Sequence, residues 1–140
     1  MNTYRTFISG LVVLLSISVL HGAQLSQSSS PIGTWEGKLN VSTFNLRLVL
    51  RIGETNGILT ATMDSPDQGT RGMVVNDVIV RNDSLLFTVV SVQGRYAGAI
   101  SSNGTTIDGQ WSQGPVSLPL LLRRADGLQP DQVERRRRPH

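Results

Sequence analysis

Carboxylates are the side chains of this sequence best able to do chemistry, because it has no cysteine and only two histidines, His21 and His140. A Ser-His-Asp or Cys-His site needs a histidine inside the domain, and zinc sites draw on Cys and His, so we expect no enzyme activity, no metal and no cofactor. Asp64 and Asp67 flank Pro66 and could bind Ca²⁺ or act as acid and base. We favour the structural alternative, in which both cap backbone N–H groups of a turn, since no calcium-loop pattern surrounds them.

Aromatic side chains are the candidates for ligand binding. Trp35, Phe87, Tyr96 and Trp111 occupy apolar positions of predicted strands. They could line a cavity for a small apolar ligand, because ligand pockets are mostly apolar with a few polar groups. They could equally fill a small barrel solidly, since eight strands give an interior just wide enough for side chains. We expect filling more than a cavity, and both alternatives stay open at this point.

A period of two residues predicts that strands hold these side chains in place. The segment Gly33–Leu39 returns in variant form as Gly94–Ile100 and again in Ile107–Trp111, each with an aromatic residue and a glycine. Alternation and turn residues such as Asn56-Gly57 predict eight strands. Their predicted ranges are 35–41, 44–52, 58–63, 73–80, 85–90, 95–100, 105–112 and 117–123.

Short turns between these strands favour an all-β, up-and-down antiparallel barrel, because closure removes exposed edge strands. A two-sheet sandwich is the alternative. On the second strand, Phe44 and the alternate residues up to Ile52 are expected to face the core. Pro119 removes one hydrogen-bond donor from the last strand, which predicts a bulge or weak pairing near the closure.

The two ends of the chain differ in composition from the strands. We divide the sequence into a signal peptide with a signal helix (1–23), a flexible lead-in (24–32), the barrel (33–124) and a disordered basic tail or linker (125–140). The apolar run Phe7–Leu20 followed by small residues predicts export, and hence a secreted or periplasmic protein. An uncleaved N-terminal anchor is the alternative.

Positive charge is concentrated in the tail. The formal net charge is +3, yet between Gln24 and Leu122 six basic side chains face seven acidic ones. The excess lies in Arg123, Arg124 and Arg135–Arg138, a run typical of a solvated linker. Binding to nucleic acid or an acidic surface is the other interpretation, and because the body has no basic stripe we expect no nucleic acid partner.

Two resemblances accompany this pattern. Gly33-Thr34-Trp35 on the first strand resembles the opening motif of calycin barrels such as lipocalins and avidins. In lipocalins an arginine of the last strand packs over this tryptophan, and the resemblance implies that role for Arg123 or Arg124. Biotin binding is not implied, since two tryptophans are too few for an avidin-type site.

The second resemblance spans nearly the whole exported chain. Gly33–Leu39, Leu46–Leu50, Leu59–Gly69 and Gly109–Gly114 are similar to the β-rich N-terminal domain of secreted bacterial α/β-hydrolases and related serine hydrolases. It implies an accessory domain that supports folding or docking of a hydrolase catalytic domain. The sequence contains no Gly-x-Ser-x-Gly elbow, so the catalytic residues of that family have no counterpart in it. A stand-alone binder of a small apolar ligand is the alternative, and the oligomeric state stays open.

Overall fold

Eight antiparallel strands form a closed up-and-down barrel, which confirms the predicted all-β architecture over the sandwich alternative. The computed structural model describes residues 29–125; the predicted signal helix, most of the lead-in and most of the basic tail lie outside them. The strands are β1 (Gly33–Val41), β2 (Phe44–Thr55), β3 (Ile58–Ser65), β4 (Thr70–Arg81), β5 (Ser84–Val89), β6 (Gly94–Ile100), β7 (Thr106–Gln113) and β8 (Val116–Arg124). Single 3-10 turns, Pro66–Gln68 and Val90–Val92, connect β3 to β4 and β5 to β6.

Each strand pairs with its neighbours in sequence, and β8 returns to β1 to close the barrel. Asn56 and Gly57, both at positive φ, turn β2 into β3 as their residue types predict. The β4–β5 ladder shifts register between Asn76 and Ile79, and Asp77 has a φ of 51° there. Such a bulge bends the strand and helps the sheet to coil into a closed barrel.

The core is the barrel interior, built from alternate residues of every strand. Leu48, Leu50 and Ile52 of β2 are buried as predicted, whereas Phe44 at the start of that strand is 55% exposed. The expectation that Phe44 faces the core is wrong. Strand alternation predicts which face of the sheet a side chain lies on, but Phe44 lies at the end of the barrel, beyond the side chains that would cover it.

Closure of the barrel depends on a short ladder. β1 pairs with β8 through Trp35–Gly37 against Leu122–Arg124. Pro119 faces Gln110 in an unbroken β7–β8 register, so no bulge forms at the proline. Because Pro119 lies beyond the stretch of β8 that pairs with β1, its missing N–H costs little. Within residues 29–125, no helix is long and apolar enough to cross a membrane.

Candidate ligand-binding cavity

The two ends of the barrel are built differently. In an up-and-down barrel alternate connections lie at the same end. We call the end with residues 42–43, 66–69, 90–93 and 114–115 the open end. The other end holds residues 56–57, 82–83 and 101–105 and the segment 29–32 that leads into β1. We call it the closed end, because the chain crosses it there.

Trp35 seals the closed end. Its side chain is fully buried, and its indole N–H donates to the Pro31 carbonyl at 2.8 Å. The Arg124 guanidinium lies 4.2 Å from the centre of the Trp35 ring. It also donates to the carbonyls of Gly104 at 2.9 Å, Ile32 at 2.7 Å and Ser30 at 2.8 Å. One side chain thus fixes the entering chain, a loop and the floor of the core.

Of the two arginines proposed to pack on the tryptophan, only one is placed over the ring. Arg123 is exposed on the outer face, opposite Glu36 in the β1–β8 register. Successive residues of a strand point to opposite faces, so the two neighbours cannot both reach Trp35. Arg123 therefore serves as a natural comparison for Arg124.

The middle of the barrel is filled by aromatic side chains. Phe87 and Tyr96 are buried, and their rings stack at 5.1 Å between centres. The Tyr96 hydroxyl lies 3.0 Å from the Leu120 carbonyl and 3.2 Å from that of Ile107. Burial, with a smaller contribution from Asp108, raises the pKa of the Tyr96 hydroxyl above its usual value. The hydroxyl therefore stays protonated and acts as a structural donor.

Empty space inside the barrel lies towards the open end. A cavity of about 170 Å³ opens there, between the aromatic core and the connections. Side chains from β1, β2, β3, β4, β7 and both 3-10 turns share its wall. They are Leu39, Leu46, Leu48, Met63, Ser65, Gln68, Thr70, Met73, Val92, Trp111 and Gln113.

Trp111 is the aromatic residue that lines this cavity; Trp35, Phe87 and Tyr96 are not among its lining residues. Its ring lies against the backbone of β6 at Gly94, where a Cβ atom would come within 2.2 Å of the indole. Glycine at position 94 thus makes room for the ring. The indole N–H reaches the Gln113 side-chain oxygen at 3.4 Å.

The polar residues in the cavity lining are Ser65, Gln68, Thr70 and Gln113. Ser65 is fully buried, and its hydroxyl donates to the Gln68 side-chain oxygen at 2.9 Å. That amide leaves its NH₂ group as a donor, and Gln113 lies in the same wall. Two methionines complete the wall, and their flexible thioethers adapt to ligands of different shape. The arrangement suits an apolar ligand with one polar substituent.

The two turn carboxylates bind backbone N–H groups. Asp64 accepts from the Gly72 N–H at 2.8 Å and from the Arg51 guanidinium at 2.6 Å, and Asp67 accepts from the Arg47 N–H at 2.7 Å. The hydrogen bond from Gly72, and then Arg51, hold the pKa of Asp64 below its usual value. In residues 29–125, no three acidic, histidine or cysteine side chains are grouped so that they could hold a metal ion.

Sequence reasoning named Trp111 but missed the rest of the cavity wall. Met63 and Met73 occupy inward positions of predicted strands, which was the available signal. Ser65 and Gln68 fell in a segment predicted as an exposed turn. Ser65 lies two residues after Met63, so alternation continued past the predicted end of the strand at Met63 would have placed it inward.

A second, outer cleft of about 500 Å³ follows the seam between β1 and β8. It is lined by charged side chains, among them Lys38, Arg47 and Arg123, with Glu36 as the acid. Leu121 adds an exposed apolar surface. The cleft runs beside the three-pair ladder that joins the two strands and continues past its end to Lys38 and Leu121.

Comparison with known proteins adds no relative to this picture. No protein-family model matches the chain, and neither the curated proteins nor the solved structures give a match. The functional interpretation therefore depends on the geometry and on the sequence itself.

Proposed function

We propose that this protein is an exported, non-catalytic barrel that binds a small apolar ligand at its open end. The observation that carries the proposal is the cavity of about 170 Å³ above a filled core. A barrel that served only as a solid scaffold would gain stability by filling that space, because unfilled apolar volume is costly. The predicted signal peptide supports a secreted or periplasmic location.

The size of the cavity limits the ligand. An engineered apolar cavity of about 150 Å³ in another protein takes up benzene, and pockets for drug-sized ligands are about 300–1,000 Å³. A cavity of about 170 Å³ therefore suits a single ring or a short branched chain, and a long acyl chain does not fit inside. The Gln68 amide offers a hydrogen bond to one polar substituent.

The surroundings of the cavity support binding without a reaction. Its wall contains no charged side chain. The nearest turn carboxylates, Asp64 and Asp67, are occupied by backbone N–H groups. Without a group that accepts or donates a proton at neutral pH, the wall offers contact and orientation but no general acid or base.

A titration with ligands of graded size tests this proposal. Binding of benzene, cyclohexanol, phenol and a long-chain fatty acid would be measured by calorimetry on delipidated protein. We expect saturable binding of the single-ring compounds and none of the fatty acid. Val92→Phe places a ring in the cavity wall and should abolish binding. Val90→Phe makes the same change two residues away at a side chain that is 67% exposed, and should leave binding intact.

An outcome in which no single-ring compound binds, or in which Val92→Phe and Val90→Phe bind equally, contradicts the proposed site. Thermal unfolding of both variants establishes that each is folded. Tight binding of the fatty acid would mean that the interior opens far beyond the volume described.

A second candidate is the accessory role beside a serine hydrolase catalytic domain that the sequence resemblance implies. The outer cleft at the β1–β8 seam favours it, since strand edges without ladder partners are common docking sites for another polypeptide. Sequencing the source locus beyond the codon for His140 tests this role. A reading frame that continues into a hydrolase with its Ser and His supports it, and unrelated sequence contradicts it.

A further inference from the structure

Three exposed apolar side chains project from the open end. Phe44 begins β2, Val90 lies in the 3-10 turn after β5, and Val116 begins β8. They are 55%, 67% and 51% exposed, respectively. We call them the apolar rim. The three side chains lie at three separate connections around the cavity entrance. Exposed apolar surface at such a place marks a contact with another apolar phase.

Four cations surround the rim on the outer face. Lys38, Arg47, Arg71 and Arg95 lie in the halves of their strands nearer the open end, and all four are exposed. We call them the basic belt. Within the part of the chain that the structure describes, none of the four takes part in an ion pair.

Two belt members face each other across the ladder, with one acidic side chain beside them. Lys38 and Arg47 are direct partners in the β1–β2 register. Like charges placed directly opposite on a sheet destabilise it. The Asp67 carboxylate accepts from the Arg47 backbone N–H and lines a surface hollow with Lys38 and Arg47, so it offsets only part of the charge of these two cations. An anionic partner outside the protein would relieve the repulsion.

Most of the acidic side chains of the barrel lie towards the opposite end. Glu36 and Glu54 lie on the closed-end halves of β1 and β2, Asp83 lies in the β4–β5 turn, and Asp108 lies near the start of β7. Asp77 also lies in the closed-end half, together with four cations, Arg51, Arg81, Arg123 and Arg124. The open-end half carries the four belt cations and two acids, Asp64 and Asp67. The excess of positive charge at the open end and of negative charge at the closed end polarises the barrel modestly along its axis. This polarity orients the open end towards a negatively charged surface.

We propose that the open end docks on the surface of an anionic lipid membrane. The apolar rim enters the headgroup region, and the basic belt contacts the anionic headgroups. An apolar rim surrounded by an excess of exposed cations complements a lipid interface, both in its apolar surface and in its charge. Docking would bring the cavity entrance to the phase in which apolar ligands are dissolved. The inference goes beyond the proposed function and does not require it, since ligand binding is measured without lipid.

Vesicle co-sedimentation tests the docking. The chain from Gln24, which contains every strand of the barrel, is mixed with vesicles of phosphatidylcholine or of equimolar phosphatidylcholine and phosphatidylglycerol. We expect binding to the anionic vesicles alone, weakened by salt. Removing two belt charges in Arg71→Gln/Arg95→Gln should lower the partition coefficient about 25-fold, at about fivefold per cation near the surface.

Rim variants test the apolar component. Phe44→Ser should lower partitioning by on the order of tenfold, because a large side chain no longer enters the interface. Val90→Ser tests the same contact with a smaller change, should the phenylalanine variant unfold. Matched controls lie at the closed end: Ile58→Ser alters a side chain that is 69% exposed, and Arg81→Gln removes one charge. Both controls should leave partitioning unchanged.

Three results would overturn the inference. The first is no binding to anionic vesicles, and the second is an equal loss in open-end and closed-end variants. The third is loss of binding when Arg135–Arg138 are changed to Gln, with no effect of the rim or belt variants. Self-association abolished by Phe44→Ser, without vesicle binding, would instead assign the rim to a second copy of this chain. Thermal unfolding of every variant excludes loss of the fold as the cause.

Discussion

Replacing Arg124 with methionine should destabilise the barrel strongly, although this residue is the last of the final strand. Its guanidinium covers Trp35 and donates to three carbonyls, from Ser30, Ile32 and Gly104. Methionine keeps an apolar stem of similar length but removes every hydrogen bond and the charge. The entering chain would then lose its connection to the barrel floor.

The magnitude follows from these contacts. A hydrogen bond to a charged group contributes about 1.5–3 kcal/mol, and an ordinary one about 0.5–1.5 kcal/mol. Two of the three hydrogen bonds lie in exposed surroundings, so we assign each of them a contribution at the low end of these ranges. The stacking on Trp35 adds about 0.5–1 kcal/mol. We therefore expect a loss of about 2–4 kcal/mol in the free energy of unfolding for Arg124→Met.

Urea unfolding followed by tryptophan fluorescence measures this loss, and the neighbouring arginine is the matched control. Arg123→Met removes the same charge from the exposed outer face and should change stability by less than about 0.5 kcal/mol. An equal loss in both variants would mean that net charge is responsible. A negligible loss in Arg124→Met would refute the account of the closed end.

Three further predictions concern the core and the turns. Gly94→Ala should lower the free energy of unfolding by about 1–3 kcal/mol, because the new methyl group displaces Trp111. Gly53→Ala is the matched control: its Cβ would meet nothing closer than 3.8 Å, so the same urea titration should show almost no change in stability. Trp35→Ala should cost about 3–5 kcal/mol as a buried aromatic truncation, and a loss near zero would mean that the ring is exposed. Asp64, whose pKa is lowered, stabilises the fold above its unfolded pKa and loses that contribution as pH falls through the folded pKa. The stability difference between wild type and Asp64→Asn should therefore shrink below about pH 4, and a difference independent of pH would contradict it.

Much of the fold is predictable from the sequence, because the alternation of apolar and polar residues along a strand and the residue types of turns can both be recognised within short segments. All eight strands follow from alternation and from turns such as Asn56-Gly57, with ends within three residues of those observed. β4 begins at Thr70, three residues before its predicted start, because Ser65 pairs with Thr70 past a register shift and Gly72 at positive φ interrupts the alternation there. Phe44 shows the other limit, since periodicity assigns a face but not the depth within a barrel.

The candidate cavity was less predictable because it depends on closure. Trp111 was recognisable as an inward aromatic residue, yet its neighbours in the cavity come from strands far apart in sequence. Leu39 and Met73 line the same cavity only because the barrel closes with a particular stagger. Whether Arg123 or Arg124 packs on Trp35 likewise depended on which of the two neighbouring positions of β8 lies on the Trp35 side of the strand.

Methyl NMR of the cavity tests the central claim most directly. Protein labelled with ¹³C at methionine methyl groups would be titrated with benzene, and leucine methyl groups would report on the rest of the core. We predict saturable shifts at Met63 and Met73, which line the cavity, and none at Leu122, which packs in the core. The absence of shifts at both methionines, or shifts of equal size at Leu122, would contradict a single apolar site at the open end.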